Sequence, residues 1–275
     1  MTALSKNRLV RAFADLSAAG EKALVPFLTA GYPDLEATGV LLRDFELRGV
    51  RVCELGVPFS DPIADGPTIQ ASYTEALAAG VDVAKIFQVV RDYRGAGGRM
   101  ALVAMVSYSI VFRHGVEQYL RDAREAGFDA TLVPDLPLVE AAMVESQAAA
   151  CGLANVMLVA PTTPAARRLE IAKHSRGFIY YISVAGITGE RDGLPDATIA
   201  AVAEFRKHTN MPVCIGFGIS NAETVAAVCE VADGAIVGSA IIRRIAGAKD
   251  RRLKELVSEA GEFISELLRP IAQPR

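Results

Sequence analysis

Apolar positions fall into eight short runs along the chain, at residues 24–30, 51–55, 101–106, 130–133, 156–160, 178–184, 212–217 and 235–239. Several are unbroken rather than alternating, the pattern of strands covered on both faces in a parallel sheet. Helical patterns lie between them. Ile86, Val89, Val90 and Tyr93 share one helix face, with Asp82 placed to cap it. Leu253, Leu256, Val257, Ala260, Ile264 and Leu267 do the same near the C-terminus, and Leu9, Phe13 and Leu16 near the N-terminus. Strand–helix alternation repeated eight times predicts an α/β fold, a (β/α)8 TIM barrel with an additional N-terminal helix, as one domain over residues 1–275. An open doubly wound sheet produces similar alternation and is the main competitor.

Composition narrows the function classes. The 275 residues carry 29 Lys plus Arg against 32 Asp plus Glu, a net charge of −3, which argues against a nucleic-acid partner. No apolar run approaches the ~18 residues that a membrane span needs. Cys53, Cys151, Cys214 and Cys229 show no metal-ligand spacing, so no metal is expected. Residues 1–20 lack the apolar core of a signal peptide, and a cytoplasmic location is expected. Three His at 114, 174 and 208 fall in or beside helical segments of the outer layer, so acid/base chemistry falls to carboxylates. The pairs Arg243-Arg244 and Arg251-Arg252 read as solvated faces at a helix terminus.

In a barrel the chemistry sits in the loops that follow the strands. The loop after the second strand holds three carboxylates, Glu54, Asp61 and Asp65, within twelve residues rich in Pro and Gly. Alternation puts Val52, Glu54 and Gly56 on one face and Cys53 and Leu55 on the other. If the latter pair meets helices, Glu54 points into the barrel mouth, where desolvation raises its pKa and lets it act as a general acid. The structural alternative for Glu54 is a buried ion pair. Asp65 could instead cap a helix beginning at Pro67, and Asp61 could hold the turn.

Two Gly-rich turns close the seventh and eighth strands, around Gly216 and Gly218 and around Gly238 and Ser239. Each is expected to open a helix. Close backbone approach and a helix N-terminus suit a phosphate, and this is where many barrels bind one. Tight turning alone is the alternative. The absence of a P-loop Lys speaks against a nucleotide triphosphate. Residues 186–195 form a long loop with three Gly, expected to close over the site. Tyr180 and Ile182 precede it on one strand face.

Together these stretches resemble the tryptophan synthase alpha subunit family. The resemblance rests on Pro26-Phe27-Leu28-Thr29-Ala30-Gly31-Tyr32-Pro33, the segment from Glu54 to Gln70, Pro134-Asp135-Leu136-Pro137, Gly186-Ile187-Thr188-Gly189, Gly216-Phe217-Gly218-Ile219-Ser220 and Gly238-Ser239, and it runs in order from about residue 5 to 268. It implies a lyase that splits indole-3-glycerol phosphate into indole and glyceraldehyde 3-phosphate, with indole passed to a beta subunit in an alpha2beta2 assembly. Glu54 is then the acid/base, and Asp65 accepts the indole N–H. Gly189, Gly218, Gly238 and Ser239 hold the phosphate. Phe27 and Tyr180 line the indole pocket, and Thr188 helps to close the lid. Asp61 and Pro137 face the partner. The resemblance implies no cofactor in this chain, pyridoxal phosphate being expected only in the beta subunit.

One departure stands out. Where alpha subunits commonly carry a Tyr and, two residues on, an Asn, this chain has Ser107 and Ser109, and Tyr108 falls on the neighbouring, opposite-facing position. Two other functions compete: a barrel acting on a sugar phosphate, such as an isomerase or epimerase, and a catalytically weak subunit that mainly activates a partner. The aromatic-flanked carboxylates disfavour the first, and the presence of both Glu54 and Asp65 disfavours the second.

Overall fold

A computed structural model describes residues 3–62, 65–182, 196–216 and 218–272. Eight parallel strands close into a barrel in sequence order: β1 (Ala23–Thr29), β2 (Val52–Gly56), β3 (Ala101–Met105), β4 (Ala130–Leu132), β5 (Ala154–Val159), β6 (Ile179–Ile182), β7 (Val213–Gly216) and β8 (Gly234–Val237). The pairing of β1 with β8, from Ala23 opposite Gly234 to Pro26 opposite Val237, closes the ring and removes the open-sheet alternative. The strands fall within about two residues of the apolar runs.

The described helices are α1 (Arg8–Ala19), α2 (Leu35–Leu47), α3 (Pro67–Ala78), α4 (Val83–Gly95), α5 (Tyr108–His114), α6 (Val116–Ala126), α7 (Leu138–Cys151), α8 (Ala165–Lys173), α9 (Asp196–Arg206), α10 (Ala222–Val231), α11 (Ser239–Ala248) and α12 (Leu253–Leu268). Two described helices, rather than one, follow β2, β3 and β8. Asp82 caps α4 as its sequence predicts, accepting from the Lys85 N–H. None of the described helices is long and apolar enough to cross a membrane.

Strand alternation sorts the core into two layers. Cys53, Leu55, Leu102, Ile179 and Ile215 face the helices, while Val25, Val52, Val103, Leu132 and Tyr180 face the barrel axis. The bottom of the barrel is filled by α1. Its Leu9, Phe13 and Leu16 pack with the first inward residue of successive strands, and Phe13 meets Phe178 at 5.3 Å between ring centroids.

Asn7 holds that plug in place. Its side chain accepts from the Leu9 and Val10 N–H groups, capping α1, and donates to the Asp129 and Gly152 carbonyls at 2.7 and 2.9 Å. Beside it the buried Asp129 carboxylate receives Arg8 at 3.0 Å and Arg94 at 2.8 Å. Asn7→Ala removes a cap and takes a donor from two buried carbonyls, of which that of Asp129 keeps the Ala154 N–H, so a stability loss of about 2 kcal/mol is expected. Urea denaturation measures it, and a loss below about 1 kcal/mol would show that the plug does not depend on this residue.

Candidate active site

A cavity of about 370 Å³ opens at the C-terminal ends of the strands. Among the residues lining it are Phe27, Glu54, Asp61, Asp65, Tyr180, Gly218, Gly238 and Ser239, eight of the positions singled out in the sequence. Thr188 and Gly189, with the rest of the expected lid, lie outside the described residues. Pro137 is exposed on the rim, at the start of α7, rather than in the cavity wall.

Glu54 is placed by alternation on β2, beside Phe27 of β1 and Val103 of β3. It is 1% exposed, and its Oε1 has no hydrogen-bond partner among the described residues. Among the described residues no cation pairs with it. Burial, reinforced by the negative charge of Asp65, pushes its pKa up from 4.5 to about 8. Asp65 is likewise pushed up by burial, from 3.8 to about 6. Near neutrality Glu54 therefore holds its proton while Asp65 has lost its own. Two carboxylates in one cavity with separated pKa values are the usual basis for distinct acid and charge-stabilising roles.

The local sequence explains how Asp65 stays available. The residue capping α3 is Gly66, with Pro67 at the first helical position and no side-chain cap. The capping role is thus not filled by the Asp65 carboxylate. Its loop is tied from below instead, because the Gln70 amide donates to the Pro62 carbonyl at 3.1 Å and the Asp65 carbonyl at 2.8 Å. Asp61 sits exposed at the edge of the cavity.

The aromatic walls depend on missing side chains. A Cβ at Gly56 would collide with the Phe27 ring, and one at Gly216 with the Tyr180 ring. These glycines leave room for flat groups to lie over the strand ends.

The two Gly-rich turns differ in chemistry. At α10, Asn221 and Thr224 form a capping box, so that N-terminus is already satisfied by side chains. At α11 the cap is Gly238, which makes no side-chain bond, and the first turn opens on the cavity through Ser239 and Ala240. An anion placed there meets the free N–H groups and the positive end of the helix dipole. Gly218 joins the lining with φ of +79°, a conformation that only Gly adopts without strain. Both turns open a helix as expected, α10 from Asn221 and α11 from Gly238, but only α11 leaves its terminus without a side-chain cap, and Gly218 lies in the loop ahead of α10.

Ser107 lines the cavity, and its hydroxyl donates to Asp135 Oδ2 at 2.8 Å, while the Tyr108 N–H donates to Asp135 Oδ1 at 2.7 Å. These bonds tie the loop after β3 to the loop after β4. Tyr108 turns to the rim and packs on Phe112, which is 68% exposed.

Three findings were not legible beforehand. Tyr73 of α3 reaches the cavity from a helix. Met105, Leu132, Leu158 and Ile236 form apolar parts of its wall. The Arg243-Arg244 pair is exposed, as the sequence reading has it, but does not stand at a helix terminus. Both lie inside α11, Arg243 lining the cavity and Arg244 lying 4.2 Å from the Phe263 ring centroid. The three His belong to the outer layer, beside Asp122, Glu145 and Glu204. No group of three or more potential metal ligands occurs among the described residues.

The family model for the tryptophan synthase alpha chain matches residues 13–267. The chain is 42% identical over 268 residues to the tryptophan synthase alpha chain of Rhodopirellula baltica, covering 94% of this chain and 96% of that one. With the alpha chain of Prochlorococcus marinus the identity is 45% over 258 residues, covering 93% and 92%. Among solved structures, the tryptophan synthase subunit alpha of Legionella pneumophila superposes with a TM-score of 0.88 at 33% identity, covering 97% and 98% of the two chains. A tryptophan synthase structure from Mycobacterium tuberculosis does so with a TM-score of 0.86 at 31% identity, covering 97% and 99%.

Proposed function

Because this chain belongs to the tryptophan synthase alpha chain family, it is a carbon–carbon lyase of tryptophan biosynthesis that splits indole-3-glycerol phosphate into indole and glyceraldehyde 3-phosphate, and we propose that Glu54 and Asp65 perform that cleavage at the barrel mouth. The observation that carries this assignment is the pair of carboxylates with staggered protonation, facing one cavity beside an uncapped helix N-terminus.

In the proposed reaction the phosphate rests on the N–H groups of Gly218, Gly238 and Ser239 and on the Ser239 hydroxyl, with Gly189 adding a further donor. The indole ring lies between Phe27 and Tyr180, and Thr188 helps close the lid. Protonated Glu54 donates to the ring carbon that carries the glycerol chain. The ring nitrogen then bears positive charge, which ionised Asp65 stabilises by accepting the N–H. The Glu54 carboxylate next takes the proton from the hydroxyl on the adjoining side-chain carbon. The carbon–carbon bond breaks, its electron pair returns to the ring, and the hydroxyl carbon becomes the aldehyde. Glu54 ends protonated, as it began.

The chain works in the cytoplasm within an alpha2beta2 assembly, handing indole to a beta subunit that holds pyridoxal phosphate. Asp61 and Pro137 face that partner. The rim supports this placement, because Val139 beside Pro137 is 89% exposed and Phe112 is exposed nearby on α5. Large apolar side chains left bare on a rim favour a protein contact.

The purified chain is expected to release indole from indole-3-glycerol phosphate, and to do so faster when a beta subunit is added. Chromatographic detection of both products measures this. No indole under either condition would reject the assignment, and indole release that ignores the beta subunit would reject the partnership alone.

A further inference from the structure

Tyr73 lies on α3, two turns past Asp65, and is 2% exposed, yet it lines the cavity. Its position relative to β2 is well defined. A Cβ built on Gly56 would stand 2.6 Å from Tyr73 Oη, so the phenol occupies the space where Gly56 has no side chain. Gly56 follows Glu54 by two residues on the same inward face, about 6.6 Å further along the strand. The hydroxyl therefore stands, with the edge of the Phe27 ring, at the position next above Glu54 on that wall. Two methylenes let the Glu54 carboxyl swing across such a gap. Its Oε1, without a partner among the described residues, is a buried acceptor on the cavity wall that this donor also lines.

We propose that Tyr73 is a positioning residue for the reaction: its O–H donates to the Glu54 carboxylate during the interval between proton donation and proton recapture. This rests on Glu54 being the acid/base. The donor steadies an anion that is otherwise stranded in an apolar wall. It also fixes the carboxylate in one place, ready to take the second proton.

The titratable groups that face Glu54 are Asp65 from the loop after β2, Tyr73 from α3, Tyr180 from β6 and Cys214 from β7, with Cys53 beside it in sequence. Burial pushes both phenols and both thiols up, so they stay neutral around neutral pH. Asp65 is then the one member of this group whose charge changes alongside Glu54.

Tyr73→Phe removes the hydroxyl and keeps the ring packing. The expected result is a fall in kcat of about tenfold with KM changed less than about twofold, since near neutral pH Glu54 is ionised, and accepts the bond, only after it has given its proton to the bound substrate. The alkaline limb of the pH profile moves upward by about half a unit or more, because ionised Glu54 has lost a donor. The same shift is read without substrate from the infrared carbonyl band of protonated Glu54, identified by its disappearance in Glu54→Gln. Unchanged kcat with an unmoved Glu54 titration would overturn the proposal. So would a fall in kcat with an unmoved titration, which is what a purely structural role produces. If the parent chain releases no indole, the assignment of the reaction fails, while the infrared titration still tests the contact between Tyr73 and Glu54.

Discussion

Glu54→Gln is expected to lower kcat for indole release by about 10³-fold while leaving substrate affinity nearly intact. General acid–base groups contribute about 10²- to 10⁴-fold. Here one carboxyl serves twice, donating to the ring and then accepting from the side-chain hydroxyl. Glutamine matches it in size and can fill the same buried position, so the loss reports chemistry rather than packing. Retention of more than about a tenth of the parent kcat would sink the role assigned to Glu54.

The same substitution carries a stability signature of opposite sense. The pKa of Glu54 is raised by folding from 4.5 to about 8. Below 4.5 the group is protonated in both states and costs nothing. As pH rises from 4.5 to about 8, the unfolded chain releases the proton while the folded chain keeps it, so stability falls, and above about 8 the full penalty applies. That penalty is on the order of a few kcal/mol. Glu54→Gln has no such slope. Urea denaturation should therefore find the inactive variant more stable than the parent at pH 9, with a smaller difference at pH 5.

Asp65→Asn is expected to cost about 10²-fold in kcat, the usual scale for losing one preorganised electrostatic partner of a developing charge. Its pH dependence is more telling than its size. The parent should show a bell. Activity rises as Asp65 ionises near pH 6, because only the anion stabilises the positively charged ring, and falls as Glu54 loses its proton near pH 8. The Asn variant should lose the acid limb. Its alkaline limb should also move to lower pH, because the negative charge of Asp65 is part of what raises Glu54. An acid limb that survives unchanged would show that another group governs it.

The barrel was legible because its eight strands are buried on both faces and so leave continuous apolar runs between amphipathic helices. The direction of Glu54 was legible for the same reason, since a strict alternation fixes which neighbours share its face. Closure was not, because an open sheet leaves the same alternation and only the pairing of β1 with β8 separates them. Asp65 was ambiguous in the sequence because an Asp just before a Gly-Pro pair suits a cap as well as a catalytic group. The Gln70 bonds that settle the loop reach back five and eight residues to their acceptors, and nothing local announces them. Tyr73 was invisible for a different reason. Its helical context reads as core packing, and its chemistry comes from the vacancy at Gly56, which belongs to another element. Arg243 and Arg244 look alike in sequence, yet one helical step of about 100° sends them to different surroundings.

The N-terminal helix has a consequence for traffic. With Leu9, Phe13 and Leu16 sealing the floor, the barrel is a cup rather than a pipe. Substrate and both products must share one opening. A phosphorylated product seated high against α11 would stand in the path of an indole released deeper in the cup, unless indole leaves by a side of the rim that the phosphate does not occupy. The order in which the products depart, and the side on which a partner must wait for the first of them, are therefore set at the end of the barrel opposite the chemistry.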